Sequence, residues 1–105
     1  MVKILFTDQA RSELREIKSY ISFQSPLQAM RVVEKIIDEI QRIPTNPSIG
    51  RSIIITSKFT VRQLLVFKYR IFYREINNQV EILSIFHSAR LLDNNPGLQK
   101  YFEEE

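Results

Sequence analysis

The stretch Tyr69–Arg90, YRIFYREINNQVEILSIFHSAR, limits what this chain can fold into more than any other. Apolar and polar residues alternate on either side of Asn77-Asn78, and a period of two is the pattern of a strand with two unlike faces. Asparagine accepts positive φ, so the pair suits a tight two-residue turn. Two strands, 69–76 and 79–87, are therefore expected as a hairpin. On the first of them Tyr69, Ile71 and Tyr73 share one face, and Arg70, Phe72 and Arg74 share the other.

The chain before the hairpin supplies its partners. Residues 2–6 form a short apolar run, read as a strand, and Thr7 and Asp8 follow as helix caps. Ala10, Leu14, Ile17 and Ile21 then recur along one helical face, predicting a helix over 8–22, with Glu13, Glu16 and Lys18 on other faces. Ser25-Pro26-Leu27-Gln28 combines a capping box with proline at the first helical position. The stripe Ala29, Val32, Val33, Ile36, Ile40 and Ile43 carries that second helix over 26–43, until Pro44 and Pro47 stop it. The short gap makes the two helices an antiparallel hairpin. Strands are expected at 52–56 and 59–67, where β-branched and aromatic residues dominate. The order predicts a single α+β domain over 1–105, with the helix pair packed on one face of a three- to four-stranded, mainly antiparallel sheet. Residues 91–105 read as a tail broken at Asn94-Asn95-Pro96-Gly97.

Composition narrows the function classes. The chain has 105 residues, 44% hydrophobic and 26% charged, which is globular composition. With no cysteine, disulfide frameworks and cysteine-based zinc sites are excluded, and one histidine rules out a His-rich metal centre. No metal and no cofactor is expected. The N-terminus has too short an apolar run for a signal peptide and no stretch approaches a membrane span, so a cytoplasmic protein without membrane contact is the expectation. The net charge of +3 is unevenly placed. Residues 51–90 hold Arg51, Lys58, Arg62, Lys68, Arg70, Arg74 and Arg90 against only Glu75 and Glu81, whereas the tail sets Lys100 against Asp93, Glu103, Glu104 and Glu105. A basic second half facing a polyanion or an acidic protein is one reading, and a solvated sheet surface the other.

Arg70 and Arg74 are costly to bury unpaired, so they face water, a ligand, or partners such as Glu75, Glu81 or the acidic tail. Their planar guanidinium groups suit phosphate or carboxylate. His87, near Arg90 at the end of the last strand, either moves protons or hydrogen-bonds the chain as it leaves the sheet. Glycine-rich phosphate loops, zinc signatures and nucleophile elbows are absent. Any catalysis must use Arg, Lys, His and Tyr, a set compatible with metal-independent RNA cleavage.

In order and spacing these features resemble the RelE/ParE superfamily of toxins from bacterial type II toxin–antitoxin modules. The resemblance spans Ala10 and Leu14 to Ile21, Pro26–Ala29, Asn46-Pro47 to Gly50-Arg51, Arg62–Leu64, Tyr69–Arg74 and Ile82 to His87-Ser88-Ala89-Arg90. RelE-like members are similar to small ribonucleases that cut mRNA at the ribosome, and ParE-like members are known as inhibitors of DNA gyrase. Both are neutralised by an antitoxin whose C-terminal segment wraps the toxin.

Arg70 and Arg90 match two RelE arginines, but Val61 and Gln63 stand where a lysine pair is expected. Pro96 stands near the C-terminal tyrosine position, and Tyr101 is a poor substitute by spacing. His87–Arg90 and Arg62–Leu64 look more ParE-like, in the manner of plasmid-stabilising members.

The resemblance thus implies a growth-inhibiting toxin that binds a target such as gyrase through Arg62, Lys68, Arg70, Phe72, Arg74 and Arg90. It further implies a cognate antitoxin, with a heterotetramer as one possible assembly. Two other readings stay open. One is a ribosome-dependent mRNA endonuclease in which Arg70 and Arg90 hold phosphate while His87 or Tyr73 handles protons. The other is a non-toxic relative that only binds antitoxin.

Overall fold

The computed structural model describes residues 3–87. The element order is β1 (Lys3–Phe6), α1 (Asp8–Ser22), α2 (Pro26–Gln41), a 3-10 turn (Ile43–Thr45), β2 (Arg51–Ile55), β3 (Thr60–Val66), β4 (Tyr69–Ile76) and β5 (Gln79–His87). The start of the first predicted strand, Ser88, Arg90 and the tail lie outside the described residues.

Caps set both helix starts. The Ala10 amide donates to Thr7 Oγ1 at 3.1 Å, and the Thr7 hydroxyl donates to the Leu83 carbonyl at 3.1 Å, tying the head of α1 to β5. At α2 the Gln28 amide donates to Ser25 Oγ at 3.1 Å, with Pro26 in the first turn. The second helix stops at Gln41, short of the expected residue 43. Pro44 has no N–H to continue the ladder and disfavours helical backbone at Ile43, so the chain tightens into the 3-10 turn.

Among the described residues the sheet has five strands in the order β1-β5-β4-β3-β2, one more than the upper expectation. The extra strand is β1, which pairs in parallel with β5, Lys3 opposite Gln79 and Phe6 opposite Ile82. Every other pairing is antiparallel. The β4–β5 hairpin turns at Asn77 and Asn78, both at positive φ (52° and 60°) as a type I′ turn requires. It holds the middle of the sheet, with β4 central. The β3–β4 turn, at Phe67-Lys68, puts Phe67 at φ 54°, a conformation rare for a bulky residue.

Apolar cores form on both faces. On the helix side Ala10, Val32, Ile36, Ile40 and Ile43 pack with Ile71, Tyr73, Val80, Ile82 and Ile85. Opposite them Ile54, Phe59, Val61, Phe72, Leu83 and Phe86 form a second, smaller cluster. The sheet face away from the helices is thus apolar at its centre.

A β-bulge permits this double use of β5. Phe72 pairs with Ser84 but Tyr73 with Ile82, leaving Leu83 as the extra residue. Past the bulge the helix-facing positions switch from Val80 and Ile82 to Ile85. Glu13, expected on another face of α1, is buried and caps this irregularity. One carboxylate oxygen accepts from Ser84 Oγ at 2.7 Å and from the Ile85 amide at 3.0 Å.

Candidate functional site

The functional side chains expected to act together fall into three places. Arg70 and Arg74 lie on the sheet face away from the helices. Arg70 stands half-buried between Leu65 on β3 and Phe86 on β5, and has no hydrogen-bond or ion-pair partner among the described residues. Arg74 is committed to structure: its Nε donates to Glu81 Oε1 at 2.7 Å, and its guanidinium sits 4.7 Å from the centre of the Phe59 ring. Phe72, counted with the arginines as a contact residue, is 0% exposed in the second core cluster and offers no surface.

Arg62 belongs to the opposite face. It pairs across strands with Tyr73 and donates to the Gly50 carbonyl at 3.0 Å and to Ser52 Oγ at 3.2 Å. The grouping of Arg62 with Arg70 and Arg74 is therefore corrected by strand parity. Even-numbered Arg62, Leu64 and Val66 oppose Tyr73, Ile71 and Tyr69 on the helix side, while Val61, Gln63 and Leu65 oppose Arg74, Phe72 and Arg70.

Tyr73 and Gly50 form a lock that the sequence did not advertise. The Tyr73 hydroxyl accepts from the Gly50 amide at 2.8 Å and donates to the Pro47 carbonyl at 2.8 Å. A Cβ on Gly50 would lie 2.7 Å from that hydroxyl and 2.9 Å from the Gln63 carbonyl, so only glycine fits. Burial pushes the Tyr73 phenol above its ordinary pKa, with the Gly50 hydrogen bond opposing. A buried, doubly bonded hydroxyl with a raised pKa is poorly suited to proton transfer.

His87 lies at the far end of the same face, opposite Tyr69 in register, and the two rings meet edge to face at 5.7 Å. Burial, with Tyr20 adding to it, raises the Tyr69 phenol's pKa. Tyr73 lies four positions beyond Tyr69 along β4, about 13 Å of strand. Arg70 is across the sheet, and Arg90 is outside the described residues. Lys68 is exposed in the β3–β4 turn and, with His87, lines a cleft between the helix pair and the sheet end. Among the described residues the geometry does not bring Arg70, Tyr73 and His87 to one point.

Comparison with known proteins fits this fold. The family model described as the ParE toxin of type II toxin–antitoxin systems matches residues 4–92, and the chain belongs to that family. Among solved structures, the chromosomal ParDE toxin–antitoxin system of P. aeruginosa superposes with a TM-score of 0.66 at 18% identity, covering 83% of this chain and 96% of that one. The isolated RelE toxin of E. coli gives 0.59 at 16% identity, covering 95% and 98%. An archaeal RelE–RelB complex from Pyrococcus horikoshii gives 0.53 at 15%, covering 86% and 98%. At these identities the structural likeness establishes the fold. No curated protein sequence matches significantly.

Proposed function

We propose that the chain is a growth-arresting toxin that acts by binding its target, DNA gyrase, and not by cutting RNA. The observation carrying this reading is the separation of Arg70, Tyr73 and His87 over two faces and two ends of the sheet. General acid–base cleavage needs its groups within hydrogen-bond reach of one bound phosphate. Binding has no such requirement, and the positions matching the RelE lysine pair hold Val61 and Gln63.

Arg70 is the proposed centre of the target contact. It is a half-buried cation, flanked by the exposed Leu65, on a face that it shares with the already paired Arg74 and with Arg51 on the edge strand. Family membership supports a cognate antitoxin, encoded beside the toxin in a plasmid-stabilising or chromosomal module of a bacterium. Acting in the cytoplasm is part of this proposal; no described helix is long and apolar enough to cross a membrane. The basic body, +5 over residues 51–90, favours an acidic amphipathic antitoxin segment.

Expression with and without the neighbouring antitoxin gene tests the proposal. The expected result is growth arrest without antitoxin, relief with it, intact mRNA, and toxicity lost in Arg70→Glu. Codon-specific mRNA cuts would establish the ribonuclease reading instead. Absence of any arrest would leave only an antitoxin-binding relative.

A further inference from the structure

One side of α1 carries charge that the packing of this helix does not require. Arg11, Arg15 and Lys18 are all exposed, and their spacing of four and three residues sets them in one row along the helix. Ser22 continues the row, and the exposed Ser19 lies beside it. Like charges at this spacing repel, so Arg11 beside Arg15 and Arg15 beside Lys18 weaken α1. Position gives no compensation, because cations favour the C-terminal end of a helix and the last turn of α1 holds none. The described residues offer these three no ion pair: Lys35 and Arg42 meet Glu39, and Arg74 meets Glu81. Asp8, in the first turn, is not paired with Arg11, whose guanidinium donates instead to the Phe6 carbonyl at 3.4 Å. That bond leaves the charge unbalanced.

The surroundings of the row indicate its partner. Residues 8–19 expose no large apolar side chain, since Ala10, Leu14 and Ile17 turn to the core. An acidic amphipathic peptide binds by burying its apolar face, and this strip offers nothing to cover it. Phosphate groups need only what the row supplies, cations and hydroxyl donors in line. The row spans about 10 Å at the helical rise. A DNA duplex presents about six phosphate charges over that length of its axis, more densely than a single strand does. Three cations in line can each meet a phosphate of such a backbone.

We propose that α1 binds the phosphate backbone of duplex DNA through Arg11, Arg15 and Lys18, with Ser19 and Ser22 as hydroxyl donors. The choice of DNA rests on the gyrase reading, since gyrase works on a duplex that lies beside any protein bound to it. The contact reads no base edges and is independent of sequence. It lies on the helix pair, whereas Arg70 lies on the sheet face away from the helices. One chain can therefore hold enzyme and DNA together.

Fluorescence anisotropy tests it, with the full chain made without antitoxin in a cell-free system and a labelled duplex of about 20 base pairs. Binding should saturate at about 0.05 M salt and weaken with a log–log salt slope of about −2.7, the value for three phosphate contacts. Arg15→Gln/Lys18→Gln should lower the affinity at least about tenfold and make the slope shallower by about 1.8. Arg31→Gln/Lys58→Gln removes the same charge from exposed positions elsewhere and should leave the slope unchanged. Thermal unfolding verifies that each variant folds. A duplex of unrelated sequence should compete equally, and polyglutamate or single-stranded RNA of equal charge far more weakly. Absence of saturable binding overturns the proposal. So does a slope indifferent to Arg15→Gln/Lys18→Gln, or equal competition by polyglutamate or the RNA. No gyrase is present, so failure here leaves the gyrase reading standing, and a failed gyrase assay leaves a measured DNA affinity standing.

Discussion

The hydroxyl of Tyr73 and the carboxylate of Glu13 each hold an irregular piece of backbone against the sheet. Tyr73 pins the 47–50 loop through Gly50 and Pro47, and Glu13 satisfies the bulge through Ser84 and Ile85. Tyr73→Phe strands a buried amide and a carbonyl, so unfolding in urea should show about 2 kcal/mol lost with an unchanged slope. Glu13→Ala strands a hydroxyl and an amide that bonded a carboxylate, and should cost about 3 kcal/mol. Glu13→Gln keeps an acceptor and should cost clearly less. The Tyr73 phenol also sets an alkaline limit. Burial raises its folded-state pKa above the ordinary 10.0, so its contribution to stability is complete below that value. That contribution is lost as pH climbs through the higher folded value. Denaturant titrations across the alkaline range should show stability falling there, with a shallower fall in Tyr73→Phe.

At the scale of elements, what was legible in the sequence was what local chemistry decides. Asn77-Asn78, the Ser25–Gln28 box and Thr7 each specify a turn or cap within a few residues, and each performs that task. The bulge depends on register between β4 and β5, which no local rule sets. It still left a trace, since apolar positions run Val80, Ile82, Leu83, Ile85, Phe86, a change of parity within one strand. The face of Arg62 was hidden because Leu64-Leu65 makes both parities of β3 look apolar. That ambiguity also concealed the second core cluster and hence the true exposure of Phe72. The Phe67-Lys68 turn carries no glycine or asparagine to announce it. Phe67→Gly should therefore leave the melting temperature unchanged or raise it, since left-handed backbone costs a residue with a Cβ about 1–2 kcal/mol. A large loss of stability would mean that the Phe67 ring contributes to the monomer's own packing.

Over the whole molecule the separation of faces is the central feature. One sheet face carries the helix pair, the larger core, the Tyr73 lock and the cleft; the other carries Arg70 beside a smaller apolar cluster. The basic bias of residues 51–90 acts across this body as a long-range field. Binding of an acidic antitoxin segment should accordingly be faster at low ionic strength, its on-rate falling steeply between about 0.01 and 0.15 M salt while off-rates change little. A salt-independent on-rate in stopped-flow mixing would argue against electrostatic capture. The most direct measurement of a toxin that binds instead of cutting puts the purified chain into two parallel reactions. One holds gyrase with supercoiled plasmid, and the other holds translating ribosomes with a defined mRNA. The account predicts inhibited supercoiling or trapped gyrase–DNA cleavage beside full-length mRNA, with the gyrase effect lost in Arg70→Glu. Cleaved mRNA beside unimpaired gyrase would contradict it.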